Sequence, residues 1–317
     1  MQTIPLSGGG TGYVCVSSGT FVWLAAGGSG TNTWKTYLRT ATSASLAADL
    51  APQNAMLVDY SFYDTNGNPL SLDTTSGTGS AVTPTNELTF TLGANQPSQI
   101  NLLGAANTNH SSTITGSVYV TFVCPDDTTC FNANAQLIYS ALPGFPWALS
   151  VPLAEDNSFW TQFSGVGIDD QVSNYVSIVV NNEDITQTTP TSFTVQVFDS
   201  NGKLAASGTT PPIAAVTVDS SGNLLQGGTY GALVSQIVTS PLPSGPFKVL
   251  IDSGGVLCSA EMLQTSGPSA TSVAVAYDVS ADVTATSASQ QKAKAAAARK
   301  ARAQANAQRI ARRVQVQ

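Results

Sequence analysis

Histidine is the commonest general base and metal ligand near neutral pH, and the chain carries one, His110, inside the polar run Asn107-Thr-Asn-His-Ser-Ser112. A Ser-His-Asp relay would have to recruit it from a surface loop, and no Gly-x-Ser-x-Gly elbow offers a nucleophile. His110 therefore reads as a solvated loop residue, and Asn109-His110-Ser111 as a glycosylation sequon, a weak and common pattern. The acidic pairs Asp126-Asp127, Glu155-Asp156, Asp169-Asp170 and Glu183-Asp184 fall in predicted loops, where carboxylate oxygens suit a hard cation. Asp64-Thr-Asn-Gly67 and Asp199-Ser-Asn-Gly202 open like calcium loops but lack the bidentate Glu at the twelfth position, so they read as Asn-Gly hairpin turns. Structural calcium is the one cofactor these acids could take. Nothing singles out two carboxylates for glycoside hydrolysis, so the expectation is a protein without catalytic residues, not an enzyme.

The cysteines are Cys15, Cys124, Cys130 and Cys258. Cys124 and Cys130 flank a short Pro-Asp-Asp-Thr-Thr segment that could close as a disulfide across a hairpin, leaving Cys15 and Cys258 as a long-range pair. An even count in a chain poor in charge favours an oxidising compartment, although connectivity stays open and four buried thiols are the alternative. No Cys-x-x-Cys occurs, and one histidine cannot complete a zinc site. The glycine-rich stretches Gly8–Gly12 and Gly27–Gly30 lack the Gly-Lys-Ser/Thr of a phosphate-cradling loop.

The strongest chemical signal is charge. Lys292, Lys294, Arg299, Lys300, Arg302, Arg309, Arg312 and Arg313 follow one another without an acid among them. All 19 acidic residues lie between Asp49 and Asp282, beside only Lys35, Arg39, Lys203 and Lys248, so the body carries −15 and the tail +8. Unpaired like charges sum, and their potential reaches about 10 Å into solution at 0.1 M salt. Such a tail suits a polyanion, bound through phosphates without base readout, or an acidic body of a neighbouring copy; an inert solubilising tail is the third reading. It offers no Trp, Phe or Leu to a bilayer.

The elements that carry these residues follow from periodicity. Only 10% of the 317 residues are charged, against about a quarter in an average domain. Short runs such as Leu88–Leu92, Ser117–Val123, Phe193–Phe198 and Val273–Tyr277 alternate apolar and polar, the period of a strand with one buried face. Landmarks repeat in order: Phe21-Val-Trp23 with Phe159-Trp160, Trp34–Leu38 with Tyr175–Val180, the turn at Asp64 with that at Asp199, and Gly116–Phe122 before Cys130 with Gly245–Ile251 before Cys258. The spacing predicts an all-β chain of two tandem antiparallel β-sandwiches, Ig-like or jelly-roll-like, over 1–142 and 143–286. Residues 287–317 lack Gly and Pro and are rich in Ala, Gln, Lys and Arg, which predicts a basic helix of roughly 40 Å whose large apolar side chains come late, at Ile310 and Val314. No stretch of 18 apolar residues spans a membrane, and Met1–Gly10 has neither the basic nor the apolar region of a signal peptide.

The entry Phe21-Val-Trp-Leu-Ala-Ala-Gly-Gly28, the Trp34-Lys-Thr strand, the hairpin Phe62–Leu70 and the bridge Val151–Glu155 together resemble a tandem Ig-like β-sandwich family of exported and surface proteins of soil bacteria such as Acidobacteria. The resemblance spans most of residues 15–280 and implies a fold, an exported setting and a structural or adhesive role, with no catalytic residues to transfer. The expected protein is thus an extracellular or cell-surface structural protein that self-associates, its basic helix serving as assembly or attachment arm. Two other classes fit the same residues. One is a virion shell subunit whose arm contacts packaged nucleic acid; the other is a carbohydrate-binding module using Trp23, Trp34, Trp147 or Trp160 as stacking platforms.

Overall fold

The computed structural model describes residues 2–5, 11–42, 56–76, 81–92, 97–124, 133–141, 149–155, 160–166, 176–220, 222–264 and 275–277, with the single positions 297, 301 and 305. The protein is all-β: the described strands form antiparallel sheets in which Val, Ile, Phe, Tyr and Thr fill the ladders. In the first sheet β1 (Gln2–Pro5), β2 (Thr11–Gly27), β9 (Thr113–Cys124), β4 (Met56–Asp64) and β7 (Glu87–Leu92) lie side by side, and β12 (Ala154–Glu155) adds to β2. The second runs β11 (Leu149–Pro152), β10 (Ala133–Ala141), β3 (Lys35–Thr42), β8 (Ser98–Ala105), β5 (Leu72–Ser76), β6 (Thr83–Thr85). The third runs β13 (Trp160–Val166), β18 (Pro246–Asp252), β15 (Thr194–Phe198), β16 (Leu204–Thr209). The fourth runs β17 (Thr229–Leu233), β14 (Val176–Asn182), β19 (Cys258–Gln264), β20 (Val275–Tyr277), and a single helical turn, α1 (Val234–Ile237), follows β17.

The repeated landmarks occupy matching places in this order. The run β2-β9-β4-β7 has its counterpart in β13-β18-β15-β16, and β11-β10-β3-β8 in β20-β19-β14-β17. Strands β5 and β6 belong to the first half alone. They also mark a departure from the expected pair of hairpins. After the Asp199 turn, β15 and β16 pair with each other. After the Asp64 turn a single bridge, Tyr63 to Pro69, is made before β5 leaves to join the other sheet.

Each half has its own apolar core. The first draws Phe21, Leu24, Val58, Tyr60, Phe62, Val118, Val120 and Phe122 from one sheet and Leu38, Leu72, Leu102 and Leu137 from the other. The second gathers Val195, Val197, Val249 and Ile251 against Val176, Ile178, Val180, Cys258, Ala260 and Met262. Full burial of a side chain of this size stabilises the fold by about 1.5–3 kcal/mol, which makes these residues the main source of stability in each half. Of the arm, Ala297, Ala301 and Ala305 are helical; the rest of it lies outside the described residues. No helix of the described residues is long and apolar enough to cross a membrane.

Candidate functional site

Strand alternation places alternate residues on opposite faces, and in β14 both faces are used. Val176, Ile178 and Val180 enter the second core, while Val179 and Asn181 are also buried, facing the first half. On β19 the same rule separates Cys258, Ala260 and Met262 from Ser259 and Glu261. The first half meets them with Thr20 and Val22 of β2, both fully buried, and Val22 packs on Val179. The two halves thus share a seam that neither core includes.

One end of the seam is polar and closely bonded. Thr20 Oγ1 donates to Glu183 Oε1 at 2.7 Å, and Ser259 Oγ donates to the same oxygen at 2.5 Å. Gln226 Nε2 reaches Asn181 Oδ1 at 2.6 Å and Thr20 Oγ1 at 3.3 Å, while Asn181 Nδ2 donates to Thr229 Oγ1 at 2.7 Å. Asp184 accepts from the Thr186 amide at 2.9 Å and the Leu257 amide at 3.3 Å. The pair Glu183-Asp184 lies in a loop as expected, but its oxygens are not open to solvent: the two residues are buried at 4% and 0% exposure, with Glu183 Oε1 and both Asp184 oxygens bonded inside the protein. A cover contributed by a strand 163 residues away is what sequence could not show.

The turn after β4 docks at the same place. Asp64 Oδ1 accepts from the amides of Asn66 and Asn68 at 2.8 and 2.9 Å, and Gly67 closes the turn with φ +82°. Thr65 O accepts from the Thr229 amide at 2.9 Å. A Cβ on Gly67 would stand 2.3 Å from Gln226 O, so only glycine allows this approach. Asp199 makes the equivalent bonds to Asn201 and Lys203, at 2.9 and 3.0 Å. A third such turn, Asp219 to Asn223 with Gly222 at φ +80°, also occurs in the second half. Its Asp-Ser-Ser-Gly-Asn signature matches the other two and could have been read from the sequence.

The other end of the seam opens into a cleft of about 270 Å³. Trp23, Trp34, Tyr139, Val151, Val179 and Glu261 are among its walls. Trp34 and Tyr139 meet edge to face, centroids 5.3 Å apart at 68°. The Tyr139 hydroxyl donates to Trp23 O at 2.7 Å, and burial together with the nearby Glu261 charge pushes its phenol well above the ordinary range. Gly231 of β17 lets the Trp23 ring lie close, since a Cβ there would come within 3.1 Å of it. The volume is at the small end for ligand sites. Aromatic walls with one buried acid can receive a small ring or an aliphatic side chain through contact and stacking, and supply one charge at the rim.

His110 lies in a loop as expected, but its ring is held rather than simply solvated. Its Nε2 lies 2.8 Å from Oδ2 of buried Asp73, which also accepts from the Asn107 amide at 3.0 Å. β5 carries Asp73 beneath the loop from a distance of 37 residues in sequence, so the partner was hidden from local reading. Among the described residues no hydroxyl bonds the other ring nitrogen, and no three His, Cys, Asp or Glu side chains gather as a metal site.

The long-range pairing of Cys15 with Cys258 is overturned. Cys258 is buried in the second core outside any disulfide, and its ladder partner across β14 is Asn182. Cys130 lies outside the described residues, as do Asp126-Asp127, Asp156, Asp169-Asp170 and Trp147. So do Lys292, Lys294, Arg299, Lys300, Arg302, Arg309, Arg312 and Arg313. Trp160 opens β13 opposite Asp252, and Trp23 and Trp34 meet at the cleft. No protein-family model matches the chain, and no curated protein shows significant similarity to it.

Proposed function

We propose that this is a non-enzymatic structural or adhesive surface protein: two tandem β-sandwiches joined as one stiff body, with the basic C-terminal helix as assembly or attachment arm. Each pair of sheets packed about one core is read as one sandwich. The observation that carries the proposal is the buried bonding of Thr20, Asn181, Glu183, Gln226 and Ser259 across the seam. Domains joined by small polar interfaces ordinarily move against each other; a network that leaves a buried group unpaired when broken resists that motion. A stiff acidic body and a cationic arm are complementary parts for ordered self-association at a cell exterior.

The test is electron microscopy of the full-length protein across a salt series. Filaments or sheets that dissolve as salt rises, and that are lost when the eight arm cations are changed to Gln, are expected, because exposed charges are screened. Closed particles enclosing nucleic acid would move the protein to the virion-shell class. Monomers at low salt with the arm intact would overturn the proposal.

The seam cleft favours a second reading, a carbohydrate-binding module, because Trp23 and Trp34 converge there. Titration with neutral oligosaccharides should then shift the intrinsic fluorescence, and Trp34→Ala should abolish the response. An unchanged spectrum at millimolar sugar removes this reading.

A further inference from the structure

We propose that Cys15 and Cys124 form a disulfide that staples β2 to β9. The two are direct partners in the antiparallel ladder, at the end of a register that runs unbroken from Cys15–Cys124 to Phe21–Val118. Opposed residues in such a ladder have Cα atoms about 4.5–5.5 Å apart, inside the range of about 4.4–6.8 Å that a disulfide spans.

That register is fixed by burial. Val118, Val120 and Phe122 of β9 all enter the first core, as does Phe21 of β2. A slip of one residue would turn every one of them to the opposite face, and the register that the core keeps sets Cys15 opposite Cys124. Position 124 shares the parity of those three residues, and position 15 that of Phe21. The competing partner for Cys124 is Cys130, six residues along the chain; Cys258 is buried in the other core.

The oxidant is a small-molecule or protein disulfide. With oxidised glutathione, the thiolate of one cysteine attacks a glutathione sulfur, breaks its S–S bond and releases one glutathione thiolate. The second cysteine, deprotonated, then attacks the mixed disulfide and releases another. Two thiols and one glutathione disulfide become one protein disulfide and two reduced glutathiones, with two electrons passing to glutathione. The closed loop holds most of the first half, β3 through β9, and constraining so long a loop narrows the unfolded ensemble strongly. Formation in the cell, though not the geometry, rests on the proposed exterior location.

The experiment uses the reduced full-length chain equilibrated with a glutathione redox buffer, trapped with an alkylating agent and digested without reduction. Mass spectrometry should find a Cys15–Cys124 linked peptide, with Cys130 alkylated and Cys258 alkylated only after unfolding. Cys130→Ser should keep the link and a melting temperature that falls on reduction, whereas Cys15→Ser should lose both. A Cys124–Cys130 peptide, or four free thiols after oxidation, would overturn the proposal. Trapping at lysis of cells producing the protein then tests location separately. The link in vitro with free thiols and the protein confined to the cell's cytosolic fraction would overturn the exterior reading and leave the pair intact.

Discussion

Asp64 and Asp199 organise their turns with the same backbone bonds. In each, a carboxylate oxygen accepts from the amides two and four residues on, and the glycine three residues on has positive φ, +82° at Gly67 and +75° at Gly202. Their surroundings are opposite. Gly67 lies against the backbone of Gln226 and Gly227, and its turn bonds Thr229; around Gly202 a Cβ would meet nothing. Local chemistry makes the turn, and only the neighbouring half makes one copy of it a docking point.

Replacing each glycine by alanine is the sharpest way to break this comparison. Left-handed strain alone costs about 1–2 kcal/mol at either site. At Gly67 the clash with Gln226 O adds an overpacking term, so Gly67→Ala should lose about 3 kcal/mol or more in urea denaturation, against about 1–2 kcal/mol for Gly202→Ala. Equal losses would mean that the docking contributes nothing.

The contrast between halves can also be driven by pH. Tyr60 and Tyr139 both lie in the first half, and burial raises both phenols; a hydrogen bond with Thr40 only partly offsets this at Tyr60. The folded state then holds its phenolic protons more tightly than the unfolded chain. Stability is fully present below the unfolded value near pH 10 and is lost above it, by about 1.4 kcal/mol per tyrosine for each pH unit. Thermal melts from pH 8 to 11.5 should show this decline, and Tyr60→Phe should make it shallower; an unchanged slope would refute the assignment.

Smaller still is Thr20→Val, which removes one donor from Glu183 and should cost about 1–2 kcal/mol. The same denaturation should become less cooperative, because the seam couples the halves. The smallest expected effect is also the control. Asp64→Ala and Asp199→Ala each break two backbone-amide bonds, the former also the exposed bond from Asn68 Nδ2 at 3.2 Å, and both should cost about 1 kcal/mol; a large inequality between them would show that the turns are not equivalent.

Legibility in the sequence followed the range of the interaction. The Asp-x-x-Gly turns, the alternation in β7, β9 and β15 and the order of the landmarks depend on neighbours within a few residues, and all could be read. The same alternation misled where it implied one solvated face, because Val179, Asn181 and Glu261 face the other half rather than water. Glu183-Asp184 and His110 were misjudged for one reason: Thr20, Ser259 and Asp73 reach them from remote strands. Cysteine pairing was illegible because it depends on register, and the ladder sets Cys15 opposite a residue 109 positions away. Trp23 and Trp34 were named as candidates, but their convergence required Gly231 and β10 from separate halves.

The burial of Val22 under Val179 has a consequence in time. A ribosome makes β2 near the beginning of its work and completes β19, the last strand to cover the seam, more than two hundred residues later. At about 5–20 residues per second, the stretch from Val151 to Met262 alone takes on the order of ten seconds. For that interval the nascent first half presents Val22 and Trp23 uncovered, a surface that a chaperone or another nascent chain could occupy before the protein's own second half arrives.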